Sequence, residues 1–302
     1  MESSVLLALA GGVGSAEGGA AVGSKARLVG RAGRKPSCVA EAESRAAARL
    51  QLAARARAER GDEPAPDKQV RAIAEGVFAA ATRKYPLSIG KAVSKRERDE
   101  RARDEGSLAG PSYNYSEASF EAVHHAVHRV RSALGKPGRG SSPPEGVLQG
   151  EVLTELGAVA GGGSFYDLGA GTGKALIAAA ATHSFSYVCG VEALEGLHNA
   201  SLELLAGYEA RHRRKLEPAM LEFAVSEQEI DVRQGDFTED DCADWVTGDV
   251  VFANCTCYDD ELMGKIAEMA EGMRQGTFFV SVTRALESDA FELVDSAVLP
   301  VS

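Results

Sequence analysis

The chain has 302 residues, enough for one large domain or a domain with an appendage, and its 44% hydrophobic and 25% charged composition is that of a globular protein. Five scattered cysteines, with no C-x-x-C pair and no zinc spacing, argue against a secreted disulfide scaffold, and no apolar run approaches the ~20 residues that cross a bilayer. The net charge of −11 is unevenly spread: residues 1–110 hold 20 Lys and Arg against 14 Asp and Glu, whereas residues 111–302 hold 13 against 30, so a basic arm suited to nucleic acid precedes an acidic body suited to cationic substrates.

Residues 1–66 read as a disordered or weakly helical basic arm. Their first forty residues show no periodicity and many glycines. Val5 to Val13 is apolar but short, and Glu2 stands where a signal peptide carries positive charge. The Ala, Gly, Ser and Arg content leaves an organelle transit peptide as an alternative, opposed by Glu2, Glu17, Glu41 and Glu43. Residues 41–60 are strong helix formers with a thin apolar stripe. Residues 67–150 read as a helical subdomain and a loop. Val70, Ile73, Ala74, Val77 and Phe78 recur at helical spacing in 67–84, behind Asp67 as a cap. Lys95 to Glu105 is a solvated helix, and 117–134 an amphipathic one through Phe120, Val123, Val127 and Val130. The proline and glycine content of 135–146 marks a flexible loop.

From 151 to 302 the rhythm alternates. Strands are expected at 164–168, 186–191, 229–234, 249–254, 276–282 and 291–301, with helices at 173–182, 195–217 and 259–274. This is the pattern of an α/β fold, a mostly parallel sheet with helices on both faces.

The turn after the first of these strands reads Asp167-Leu168-Gly169-Ala170-Gly171-Thr172-Gly173-Lys174. Open α/β sheets bind nucleotides at that point, and glycines let a ligand approach the backbone. Glu192 follows nineteen residues past Gly173, at the end of the second strand, where a carboxylate can accept both ribose hydroxyls. Dinucleotide folds use G-x-G-x-x-G around a pyrophosphate. Here the spacing is G-x-G-x-G, and Lys174 holds the third-glycine position. S-adenosylmethionine has no pyrophosphate, and its sulfonium and amino group favour nearby acid, which Asp167 supplies. Gly235-Asp236-Phe237 follows the third strand, with Asp236 placed for the adenine amino group and Phe237 for stacking on the ring.

Five blocks together resemble the disruptor-of-telomeric-silencing (Dot-one type) histone lysine methyltransferases, a family with the class I methyltransferase fold. Asn114 to Phe120 (NYSEASF) resembles Y-G-E-T-S-F, and Asp167 to Lys174 resembles D-L-G-S-G-V-G-Q. Gly190-Val191-Glu192 matches G-V-E, Gly235-Asp236-Phe237 matches G-D-F, and Val251 to Asn254 (VFAN) resembles V-N-N. The resemblance covers residues 111–290. It implies that Tyr115 and Glu117 close over the methionyl end of the cofactor, held also by Asp167 and the backbone of Gly169, Gly171 and Gly173, with Lys174 where the family has a glutamine. It implies that Glu192 grips the ribose and that Asn254 sits beside the sulfonium and the entering lysine. Cys255-Thr256-Cys257-Tyr258 replaces the more aromatic run that walls the family's lysine channel. Tyr115, Asn254 and Tyr258 are thus the catalytic candidates. The implied partner is a histone or nucleosome in the nucleus, with a DNA contact through the basic arm. A cytoplasmic or organellar location, another methyl acceptor on the same fold, or a non-catalytic chromatin-binding module are the alternatives.

Other residues read more simply. His124 and His128 share a helix face without a third metal ligand, and no metal is expected. Cys255 and Cys257 alternate as on one strand face. Arg211, Arg213, Arg214 and Lys215 complement the end of a helix. Class I methyltransferases place an antiparallel strand between their fifth and sixth, and no sequence after the 291–301 strand provides one. The last sheet strand is therefore expected to be missing.

Overall fold

Near-continuous apolar runs such as Phe165–Leu168, Val250–Ala253 and Phe278–Val282 are buried on both faces, as strands inside a covered parallel sheet must be. A computed structural model of the chain describes residues 2–11, 66–105, 114–134, 163–183, 185–210 and 228–300. In chain order these form β1 (Glu2–Ala10), α1 (Pro66–Lys84), α2 (Leu87–Glu105), α3 (Phe120–Leu134), β2 (Ser164–Leu168), α4 (Lys174–Thr182), β3 (Tyr187–Glu192), α5 (Glu195–Tyr208), β4 (Glu229–Gln234), β5 (Val250–Asn254), α6 (Asp260–Ala270), β6 (Phe278–Val282) and β7 (Phe291–Pro300).

One sheet orders the strands β4-β3-β2-β5-β6-β1-β7. Strands β2 to β6 are mutually parallel, and β1 is antiparallel to both β6 and β7. This is the class I methyltransferase fold. One face carries α1, α3 and α4, whose core joins Val77, Val123, Val127 and Ile177 to Phe165 and Phe252. Helix α4 is alanine-rich and buried almost throughout, so α1 and α3 can both pack closely on it. The opposite face buries Trp245, Leu168, Ile266 and Phe279.

The expectation of a missing strand is corrected. The place between the fifth and sixth strands of the repeat is filled by β1, from the other end of the sequence. Val5 pairs with Val282 on one side and Ala297 on the other, and Glu2 stands opposite Pro300. The expected disorder of 1–66 is likewise wrong for residues 2–10. Val5 and Leu7 alternate into the core beside α3, a pattern that only the distant β6 and β7 make useful. Several boundaries also move: α2 begins at Leu87, before the charged stretch, α3 begins at Phe120, β5 at Val250 and β6 at Phe278, and α6 ends at Ala270. The expected helix at 41–60, the loop at 135–146 and the cluster Arg211 to Lys215 lie outside the described residues. Helix α3 is tied to β7 by Arg129, whose guanidinium donates twice to Asp295 at 2.9 and 3.0 Å.

Candidate functional site

Parallel strands deliver their C-terminal ends to one edge, and there β2, β3, β4 and β5 present Asp167, Glu192, the Asp236 turn and Asn254. After Leu168 the chain turns through Gly169, Gly171 and Gly173, with φ of 75°, 57° and 80°. These lie in the left-handed region, which side chains disfavour. Space forbids a side chain as well: a Cβ on Gly169 would fall 2.5 Å from the Tyr258 hydroxyl, and one on Gly171 2.7 Å from the Tyr115 ring. Gly173 lies one step back, directly before α4 and against Ser201.

The loop lies between two buried acids. Asp167 is 3% exposed, and burial, with the Glu192 carboxylate behind it, pushes its pKa up to about 8. Glu192 accepts from the Gly171 N–H at 2.7 Å and from the Leu194 N–H at 2.9 Å. Burial outweighs those donors and holds Glu192 up at about 7. A cation arriving here would relieve both groups.

Tyr115, Glu117 and Lys174 close the loop from above. The Lys174 ammonium lies 2.5 Å from Glu117 Oε1, with the two side chains 4% and 7% exposed. The Tyr115 hydroxyl donates to the same carboxylate oxygen at 2.5 Å and lies 3.1 Å from Thr172 Oγ1. Burial first, then the Glu117 charge, hold Tyr115 well above its ordinary value, so it stays a neutral donor. Lys174 therefore neither points to solvent nor stands as a lone charge.

On the other side, Asp236 uses Oδ1 to accept from both the N–H and the hydroxyl of Thr238, at 2.8 Å each. The Phe237 ring is 5.9 Å from that of Tyr258, and its carbonyl accepts from Trp245 Nε1 at 2.8 Å. Tyr258 donates to the Leu168 carbonyl at 2.7 Å, and burial raises its pKa well above the ordinary value. Asn254 donates through Nδ2 to Ser116 Oγ at 3.2 Å.

These side chains line two joined spaces. A cleft of about 270 Å³ is bounded by Glu192, Asp236, Phe237, Asn254 and Tyr258. A recess of about 30 Å³ is bounded by Tyr115, Glu117, Asp167 and Lys174. Asn254, Tyr115, Ser116 and Gly169 line both. The sequence reading did not single out Leu194 and Leu197, which also line the cleft, or Thr172 under Tyr115. Their signal was position alone, just past the G-V-E block and inside the glycine loop. Cys255 and Cys257 are not on a strand: the chain leaves the sheet at Asn254 into a tight turn, burying Cys255 and leaving Cys257 beside the cleft. His124 and His128 lie away from the cleft and stack on each other at 6.2 Å.

Comparison with known proteins bears on this arrangement. No curated protein matches the chain. Among solved structures, it resembles a Bacillus halodurans protein described as a "putative methyltransferase" (18% identity, TM-score 0.30, covering 46% of this chain and 52% of that one). It also resembles an S-adenosylmethionine-dependent methyltransferase from Thiobacillus denitrificans in complex with S-adenosyl-L-homocysteine (18%, TM-score 0.26, 51% and 54%). A third is the Aeropyrum pernix fibrillarin with natively bound S-adenosylmethionine (16%, TM-score 0.28, 40% and 45%). The chain spans about half the length of each. The sequence pattern of the family described as "Histone methylation protein DOT1" matches residues 149–298, which takes in the glycine loop, Glu192, Asp236, Asn254 and Tyr258 and leaves the Tyr115 segment outside. Over those residues, just under half of the chain, the sequence is similar to the DOT1 histone methylation family.

Proposed function

We propose that the chain is an S-adenosylmethionine-dependent methyltransferase that acts on a lysine of a nucleosomal histone. One observation carries the reading: a glycine loop in left-handed conformation lies between two buried carboxylates whose burial is not offset by a neighbouring cation strong enough to lower them. A cationic nucleoside fits that cradle and a pyrophosphate does not. The recess suits a zwitterionic amino-acid end, with Asp167 for its ammonium and Lys174 for its carboxylate. Glu192 has lone pairs left for a ribose diol beyond the two backbone donors it already holds. Asp236 and Phe237 offer an acceptor and a ring face to adenine.

S-adenosylmethionine would supply a methyl carbon already activated by its sulfonium. The chain's own residues then have two tasks, to align the acceptor and to exclude water. Asn254 stands where recess and cleft meet, the point at which an acceptor would reach the methyl group. An attacking lysine must be neutral, although its free pKa is about 10.4. Half-buried Tyr258 and buried Phe237 beside Asn254 make surroundings that disfavour an ammonium. The family match supports a histone acceptor, and we extend it to an intact nucleosome, a nuclear location and a DNA contact through the basic residues between 25 and 103. No helix among the described residues is long and apolar enough to cross a membrane.

Calorimetry with S-adenosylmethionine tests the cradle. The parental protein is expected to take it up, and Asp167→Ala to bind roughly 100-fold more weakly, as loss of a charge-assisted bond to a buried cation implies. Radiolabelled methyl transfer to nucleosomes, free histones and a small-molecule panel then identifies the acceptor, with Asn254→Ala expected to lose transfer while keeping most cofactor affinity. No uptake by folded protein would refute the reading.

A further inference from the structure

Among the described residues, Thr283 is the one non-glycine residue with positive φ, at 78°. For a β-branched residue this is an outlier, and such strain persists only where the surroundings enforce it. Two contacts do so. The Thr283 N–H donates to the Ser4 carbonyl of β1 at 2.7 Å, and its hydroxyl lies 2.9 Å from Thr256 Oγ1. Thr256 in turn donates to Asn254 Oδ1 at 2.8 Å. A hydroxyl has one proton, so Thr256, having given its own to Asn254, must accept from Thr283. The order is then fixed: Thr283 to Thr256, Thr256 to Asn254, and Asn254 Nδ2 to Ser116. Arg284 reaches the same loop, donating to the Tyr258 carbonyl at 2.6 Å and to Asp260 at 2.5 Å. Successive residues of a straight strand point to opposite faces, and the turn at Thr283 brings both side chains onto one loop.

We infer that Thr256 and Thr283 are positioning residues that lock the Asn254 amide in one orientation for methyl transfer, and that β1 holds the strained end of this relay. The inference rests on the role proposed for Asn254. Neither threonine lines the cleft or the recess, so each acts only through Asn254.

The test compares Thr256→Val with Thr256→Ser, and Thr283→Gly with Thr283→Ser. In the ligand-free protein, the side-chain amide of Asn254 is followed by ¹⁵N-resolved NMR. It is expected to give one sharp, slowly exchanging proton pair, to broaden and exchange faster in the Val and Gly variants, and to recover in both Ser variants. The rate constant kcat on nucleosomes should fall about tenfold in the Val and Gly variants, the effect of losing one aligning hydrogen bond, with S-adenosylmethionine affinity within about twofold of parental. Thr283→Gly should unfold no earlier than the parental protein, because glycine relieves the strain, and this separates lost alignment from lost stability. An Asn254 amide that does not respond to Thr256→Val overturns the inference whatever the activity, as does a Ser variant as impaired as its Val or Gly counterpart. A locked amide in a parental protein that transfers no methyl group to any acceptor leaves the relay standing and overturns the reaction assigned to it.

Discussion

The two halves of the sheet are built on different terms. On one side, β2, β3, β4 and β5 are parallel, follow each other closely in sequence, and end in the residues that form the cleft. On the other, β6, β1 and β7 form an antiparallel group in which the central strand comes from the far end of the chain. The first half holds charge in its interior without full compensation, and the second holds almost none. The contrast is one of compensation: Asp249, buried before the start of β5, accepts from Ser164 and Arg274, whereas Asp167 and Glu192, at the strand ends that line the cleft and the recess, are buried without a cation beside them.

Three changes probe this division. The largest effect is expected in the antiparallel half. Val5→Asp places a carboxylate where the side chain is 2% exposed, between two paired strands, and should cost about 3–5 kcal/mol or abolish cooperative unfolding in urea. If its midpoint matches the parental one, β1 is not a structural strand. Next, Lys174→Met leaves Glu117 buried without its cation and should cost about 3–5 kcal/mol, whereas the double change Lys174→Met with Glu117→Gln should restore most of that loss. Equal losses in single and double variants would mean that the pair is not coupled. The smallest effect is a slope. Asp167 at about 8 and Glu192 at about 7 are raised above the ordinary carboxylate value near 4, so the folded state keeps protons that the unfolded state releases. Ligand-free stability from these groups is complete below about pH 4 and is lost as the pH rises towards about 8. Asp167→Asn should flatten part of that decline. Binding of a cation should release protons, read as a dependence of calorimetric heat on the buffer's ionisation enthalpy. A decline of the same steepness in Asp167→Asn would remove the acid from this account.

The legible parts of the molecule were those written locally. The glycine loop, Glu192 and the Asp236 turn each announce themselves within a few residues of a strand end, so periodicity and spacing were enough to place them. Lys174 was harder to place, because its meaning depends on Glu117, which is 57 positions away and on a different element. Strand β1 could not be read as a strand, since its alternation is short and its partners follow Phe278. The relay through Thr256 and Thr283 had no sequence signature, because a positive φ on threonine follows no propensity. Thr283 is held there by Ser4, a residue of the strand that was itself missed.

That placement of β1 also sets a timetable for synthesis. The strand leaves the ribosome roughly 270 residues before the first of its partners, β6, and at 5–20 residues per second the interval is on the order of 10–50 s. Through that time Val5, Leu6, Leu7 and Leu9 form a nascent apolar segment with unpaired backbone on both edges, the state in which strands aggregate. In a chain that places this strand last, the two neighbours would already be waiting. Here the growing polypeptide must keep its first strand solvated, or shielded by a chaperone, until the sheet can close around it.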